Sequence, residues 1–249
     1  MRAFTFLLFF PLVSSLNAQI VNIENKRVYD DTSGWYGNLD GIFSFVQNKD
    51  FLYQLNVRAR IQYKTKKHYF LFLQDFVYSG GQKVYANSGM GHFRYAYRIK
   101  QSHLKWESYF QTQYNQILRQ RVRVLLGTGL RWKFVKKEKI NSFFGSSIFY
   151  EYEELQAENE FNDDFRWSNY LSWFIKMKQI SFSATTYYQP LLSNFNDFRF
   201  AGQYSLYSSL NKELKLKTEC SIFYDSRPPS NVKSTLLSFM IGLSYEFGK

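Results

Sequence analysis

Cysteine, histidine, proline and long apolar runs are all scarce in this chain, and each scarcity closes off a class of explanation. With one cysteine, Cys220, the chain has no internal disulfide and gives no redox information. Three scattered histidines and that one thiol lack the ligand spacing of a metal site. Four prolines leave the strands their ladder donors, and the Pro228-Pro229 pair falls in a long connection, where it costs no sheet bond. No stretch beyond the N-terminus is apolar for the roughly 20 residues that a membrane-spanning helix needs. Runs of Ala, Leu and Glu that favour helices are nearly absent. If the chain enters a membrane it does so as a closed barrel, because only helices and barrels satisfy their backbone in lipid.

Aromatics, in contrast, make up 20% of the sequence, although its mean hydropathy is only −0.39. A membrane barrel produces this combination, since half of each strand faces a polar interior. The last strand shows it best. Leu237, Phe239, Ile241, Leu243, Tyr245 and Phe247 alternate with Ser238, Met240, Gly242, Ser244 and Glu246, so one face is apolar and the other small or polar. Twelve segments in all read as strands: 35–47, 51–64, 68–78, 87–99, 104–116, 119–134, 140–153, 165–177, 180–190, 197–210, 213–225 and 236–247. In the second, Tyr53, Leu55, Val57 and Ile61 oppose Gln54, Asn56, Arg58 and Arg60. In the sixth, Val122, Val124, Leu126 and Leu130 oppose Arg121, Arg123, Gly127 and Arg131. The third is the weakest, with Gln74 on its apolar face.

The chain begins with Arg2, an apolar run from Ala3 to Val13, and small or polar residues to Ala18, which is the layout of a secretory signal peptide. Cleavage after Ala18 leaves residues 19–33 as an N-terminal periplasmic segment and 34–249 as the barrel. The rival reading, an uncleaved anchor helix, is disfavoured by length. A net charge of +12 suggests an acidic surface or an anionic ligand. Nucleic acid is not expected, because its motifs are missing and the cations are dispersed.

Connection lengths carry independent information. The even-numbered connections contain KTKK, KQSH, KKEK, KQ and NK, all short. The odd-numbered ones contain SGGQKVYA, ELQAENEFNDD, LLSNFND and SRPPSNVKST, with the first and fifth connections as tight exceptions. Short turns at one end and long loops at the other is the outer-membrane layout. The expected fold is therefore all-β: a single transmembrane antiparallel up-and-down β-barrel of about twelve strands, monomeric and surrounded by outer-membrane lipid.

Four stretches then carry a family likeness: Trp35-Tyr36-Gly37-Asn38, Asn48-Lys49-Asp50, Gly127-Thr128-Gly129-Leu130-Arg131-Trp132 and Tyr150-Glu151-Tyr152-Glu153. Together they resemble the salt-induced outer-membrane proteins, a family whose domain has no assigned function, over residues 34–247. That resemblance brings no catalytic residues with it. The last strand also resembles the C-terminal strand of outer-membrane barrels. This implies that Tyr245 and Phe247 form a signal read by the barrel assembly machinery, with Gly248 and Lys249 trailing it.

Catalysis is not expected. Barrel phospholipases and lipid A deacylases pair a His with a Ser two residues later, whereas His68, His92 and His103 are followed there by Phe70, Arg94 and Lys105. Gly89-Met90-Gly91 and Gly127-Thr128-Gly129 fall within strands rather than before a helix, so neither is a phosphate loop. No cofactor is expected either.

The interior holds the candidate site. Asp40, Arg58, Asp75, Arg94, Glu107 and Arg131 belong to the inward sets of the first six strands, with signs that alternate. A turn centred on Lys49 pairs Asp40 with Arg58, and one centred between Lys66 and Lys67 pairs Arg58 with Asp75. The loop after Ser79 places Asp75 beside Arg94, the turn at Lys100-Gln101 places Arg94 beside Glu107, and Arg131 follows. The competing reading has these residues lining water.

Three functions stay open. One is a passive or structural barrel, or a narrow channel for small anionic solutes. Another is a surface interaction barrel using the acidic stretch Glu153 to Asp164 or the Pro-containing loop. The third, a secreted soluble lipid-binding barrel, needs its apolar face turned inward.

Overall fold

The computed structural model describes residues 33–47, 51–81, 84–100, 102–155, 161–228 and 232–248. The expected signal peptide, residues 1–18, and nearly all of the N-terminal segment lie outside the described residues. Twelve strands are present: β1 (Gly34–Gln47), β2 (Phe51–Lys64), β3 (His68–Gly80), β4 (Val84–Arg98), β5 (Leu104–Asn115), β6 (Gln120–Lys136), β7 (Ile140–Leu155), β8 (Phe161–Lys176), β9 (Ile180–Pro190), β10 (Phe198–Ser209), β11 (Leu214–Asp225) and β12 (Thr235–Gly248). Each pairs antiparallel with its sequence neighbours, and β12 pairs back onto β1, closing the barrel. Among the described residues no helix is long and apolar enough to cross a membrane; a barrel crosses with strands.

Alternation decides what faces where. The apolar set of β12, from Leu237 to Phe247, is 45% to 60% exposed on the outer wall. Leu39, Phe72, Phe110, Leu130 and Ile148 continue that exposed belt round the barrel, and Gln74 interrupts it on β3. A patch this extensive is untenable in water and is the lipid-facing band of a membrane barrel. The soluble lipid-binding alternative required this face inside, so the orientation removes its basis. Aromatic contacts edge the band at both ends. Trp35–Tyr63, Phe70–Tyr95 and Trp132–Phe134 lie at the short-turn end, and Tyr53–Tyr78, Tyr150–Phe165 and Tyr188–Phe198 at the long-loop end.

Several boundaries differ from the sequence reading, and those at two connections matter. β4 begins at Val84 rather than 87, so the β3–β4 hairpin turns sooner and pairs Gly80 with Val84. The acidic stretch assigned to a surface loop is largely strand, because β7 runs on to Leu155 and β8 begins at Phe161. Glu153 is buried, with its carboxylate held by interior donors, so its acidity does not mark a solvated loop.

The seam between β1 and β12 pairs Tyr36–Gly41 with Leu243–Gly248 and stops there, although both strands continue toward the loops. A small cavity of about 10 Å³ lies where the pairing ends, lined by Ile42, Asn56, Glu219, Gly242 and Leu243 among others. At the opposite end of the seam the Phe247 ring covers Gly37. A Cβ there would stand 2.2 Å from Phe247 Cζ, so only glycine admits the ring.

Candidate functional site

An aqueous pore keeps its inward side chains wet. Here they are dry: Arg58, Arg94, Glu107, Glu151 and Glu219 are each no more than 5% exposed. Part of the filling is aromatic. Tyr109 and Tyr170 face Gly127 and Gly145 across their strand pairs, and a Cβ on either glycine would lie within 2.3 Å of the opposing ring. Those two glycines let the phenols lie inward, where Tyr109 Oη meets Ser147 Oγ at 3.2 Å. The space that remains beside them is small, about 40 Å³, lined by Arg94, Tyr109, Arg123, Phe149, Tyr170 and Gln189 among others.

The six residues of the expected ladder all point inward and are buried, and two groups of ion pairs stand out around them. Asp40 lies opposite Arg58 in register, yet its carboxylate accepts from Lys217 Nζ at 2.7 Å, from Ser244 at 2.6 Å and from Asn38 at 2.6 Å. Arg58 lies opposite Asp75 and donates to it through Nε at 2.8 Å. Its Nη1 reaches Glu219 on β11, across the lumen, at 2.6 Å. Between β3 and β4 the register differs from the expected one. The earlier start of β4 sets Asp75 opposite Met90 and Arg94 opposite Leu71, and an apolar cluster of Leu71, Leu73 and Met90 stands in that part of the lumen. The second group centres on Glu107. It takes Arg94 Nη1 at 2.9 Å and lies 3.5 Å from Arg131 Nε, both along diagonals of the register. Lys217 and Glu219 were missed because their partners, Asp40 and Arg58, sit two and three strands away round the wall, beyond what hairpin turns encode.

A larger network near the loop end was missed altogether. The Glu151 carboxylate accepts from Arg123, from Arg166 at 2.7 Å and from Arg199, so three guanidiniums converge on one acid. Arg199 also donates to Glu153 at 3.0 Å and to Asp225 at 2.9 Å, while Arg166 reaches Asp197 at 3.0 Å. Gln120 donates to Glu153. Leu118, Tyr170, Tyr187, Phe223 and Leu236 form an apolar cluster beside this network, with Val232 against it. The tight fifth connection brings Leu118 to it: Asn115 Oδ1 accepts from the Ile117 and Leu118 backbone N–H groups and tucks Leu118 inward. The legible signal was parity, since Glu151 and Glu153 share the inward face of β7.

The short-turn end is different. Its inward positions include Lys64, Arg98, Lys105, Lys133, Lys176 and Lys215, half-buried or exposed, and the acid among them is Glu246, which meets Lys215 at 2.6 Å. The histidines play no common part. His92 is buried against Gln111 at 3.0 Å, His68 opens β3 beside the Tyr95 hydroxyl at 2.9 Å, and His103 is exposed in a turn. Among the described residues no group of three or more His, Cys, Asp or Glu side chains is disposed to hold a metal.

Residues 52–247 match a family described as protein of unknown function, DUF481. No curated protein matches the sequence. Two solved structures are similar in fold. The NanC porin is 11% identical over 84% of this chain and 98% of that one, with a TM-score of 0.52. The COG4313 outer membrane channel from Pseudomonas putida F1 is 9% identical over 92% of this chain and all of that one (100%), with a TM-score of 0.56. Identities this low carry the fold and nothing finer.

Proposed function

This chain belongs to DUF481, a family of unknown function, and on that premise we propose that it is an outer-membrane β-barrel whose lumen rests closed, a structural barrel rather than an open pore. The observation that carries this reading is that buried charges bond across the lumen, with Arg58 of β2 to Glu219 of β11 and Arg199 of β10 to Glu151 of β7. Such chords span the space an ion would need, and breaking one strands a charge. The reading assigns no catalysis, on the missing nucleophile–base spacing, and takes the barrel as a monomer in outer-membrane lipid. Tyr245 and Phe247 are proposed as its assembly signal, and residues 1–18 as its export signal. The likeness to salt-induced outer-membrane proteins extends the proposal to a barrel whose abundance rises with external salt.

Planar-bilayer recording tests closure. The purified protein should insert without steady current, and a persistent open state at low voltage would sink the closed reading. The second reading, a narrow channel for small anions, is favoured by the cations at the short-turn mouth. It predicts small currents whose reversal potential follows the anion gradient.

A further inference from the structure

We propose that the turns β2–β3, β4–β5 and β6–β7 form a lysine arc that binds the phosphate headgroups of anionic phospholipid, gathering such lipid round one half of the wall. The inference needs only the lipid-facing band described above and stands apart from whether the lumen is closed.

The first support is charge. These three turns carry Lys66, Lys67, Lys100, Lys137 and Lys139, all exposed, with Glu138 as the acid among them. Among the described residues none of the five lysines has an ion-pair partner. The turns on the other side of the barrel carry Lys178 and Lys212, the latter beside Glu213. At the loop end, in contrast, Arg121 reaches Glu154 at 2.7 Å and Arg227 comes within 4.0 Å of Asp197.

The second is that the backbone fixes the arc. Arg98 N–H donates to the Lys67 carbonyl at 2.9 Å, tying the first turn to the next hairpin. Lys100 holds a left-handed φ of 52°, and Ser102 N–H closes that turn onto the Ile99 carbonyl at 3.2 Å. In the third, Lys137 N–H donates to the Ile140 carbonyl at 2.9 Å, and the Lys139 carbonyl accepts from Lys176 N–H at 2.8 Å. Like charges are thus held along a fixed frame, which an anion neutralises without having to order the chain.

The third is depth. The ring contacts Trp35–Tyr63, Phe70–Tyr95 and Trp132–Phe134, with Trp106 edge-on to Tyr95 at 6.0 Å, mark the membrane interface on this half of the wall. Lys66 follows Tyr63 by three residues, and Lys137 follows Phe134 by three. At about 3.3 Å per residue, shortened by strand tilt, the lysines fall in the headgroup layer, which adds roughly 5–8 Å on each side of the hydrocarbon. A lysine is a point charge on an apolar stem, suited to the single charge of a phosphodiester above acyl chains. A soluble acidic partner fits less well, because the described residues of these turns offer no Trp, Tyr or Arg to anchor it.

The test is electron spin resonance of the full chain in phosphatidylcholine vesicles at low salt. The probes are phosphatidylglycerol and phosphatidylcholine, each spin-labelled on an acyl chain, and the immobilised fraction of each gives its relative association with the wall. Phosphatidylglycerol should associate about threefold or more over phosphatidylcholine, and high salt should erase the difference. Lys66→Gln, Lys67→Gln, Lys100→Gln, Lys137→Gln and Lys139→Gln together should bring the two probes to parity. Lys178→Gln with Lys212→Gln should leave most of the preference in place. The number of phosphatidylcholines immobilised per barrel, set by the perimeter of the wall, should not change, which separates lost charge from a lost fold. If the larger variant does not insert, Lys66→Gln with Lys67→Gln should still lower the preference in part, and no decrease would count against the arc. Parity in the unaltered protein would overturn the proposal and leave the arc to a soluble acidic partner. Equal losses in the two sets of variants would replace the site by diffuse charge at the rim. Lipid association is read on the wall and current in the lumen, so neither result decides the other.

Discussion

The two ends of this lumen treat charge in opposite ways. At the loop end Arg123, Arg166 and Arg199 are knit to Glu151, Glu153, Asp197 and Asp225 beside an apolar cluster. At the turn end the described inward residues are mostly cations, with Glu246 as the acid among them. Among the described buried residues, eight cations from Arg58 to Lys217 face seven acids from Asp40 to Asp225. The net charge of +12 is therefore not a property of the interior. Where water is excluded, charges must be matched or the barrel cannot afford them. Where water enters, they accumulate with one sign.

The contrast breaks most readily at Glu151. Glu151→Gln leaves three converging arginines without their shared acid and should cost about 3–5 kcal/mol, read by urea unfolding of the refolded protein in bilayers. A loss no greater than that of a turn lysine would erase the distinction between the ends. Ile241→Arg sets the scale for charge misplaced on the outer wall. Near the midplane it should cost about 2–4 kcal/mol, measured in the same assay, and an unchanged stability would mean that this face does not meet lipid. A double-mutant cycle sharpens the interior assignment. Arg58→Met should couple to Glu219→Gln and Asp75→Asn by about 0.5–3 kcal/mol, with much weaker coupling to Asp40→Asn, whose carboxylate belongs to Lys217. At the small end, Lys136→Gln, Lys137→Gln and Lys139→Gln together should shift stability by about 0.5 kcal/mol or less, because these turn side chains are solvated.

Much of this was legible before any coordinates. Period-two alternation identified all twelve strands and the inward set, and hairpin turns gave the register of Asp40 opposite Arg58 and of Arg58 opposite Asp75. What failed had physical causes. The β3–β4 loop length was misjudged, and that set Asp75 opposite Met90, whereas the expected approach of Arg94 to Glu107 is present. Bonds across the lumen, such as Arg58 to Glu219, depend on barrel closure and on the reach of long side chains, which no local pattern records. The loop-end network suffered the same blindness, aggravated because Glu153 was read as surface. Gly127 is a further case: the sequence shows only that it lies within a strand and is no phosphate loop, whereas the ring it makes room for, Tyr109, comes from the neighbouring strand.

The partial seam between β1 and β12 gives the wall a direction of failure. A cylinder bonded evenly all round must be breached everywhere at once, whereas this one has a longitudinal fastening that begins at Gly41 and Leu243 and ends where Phe247 rests on Gly37. Above the fastening the two strands run on without pairing to each other, so separation starts there and travels toward the turns. The last clasp to give is the aromatic one. In mechanical terms the barrel is a zipper with a stop, and amide exchange along it should slow residue by residue from Ile42 down to Tyr36.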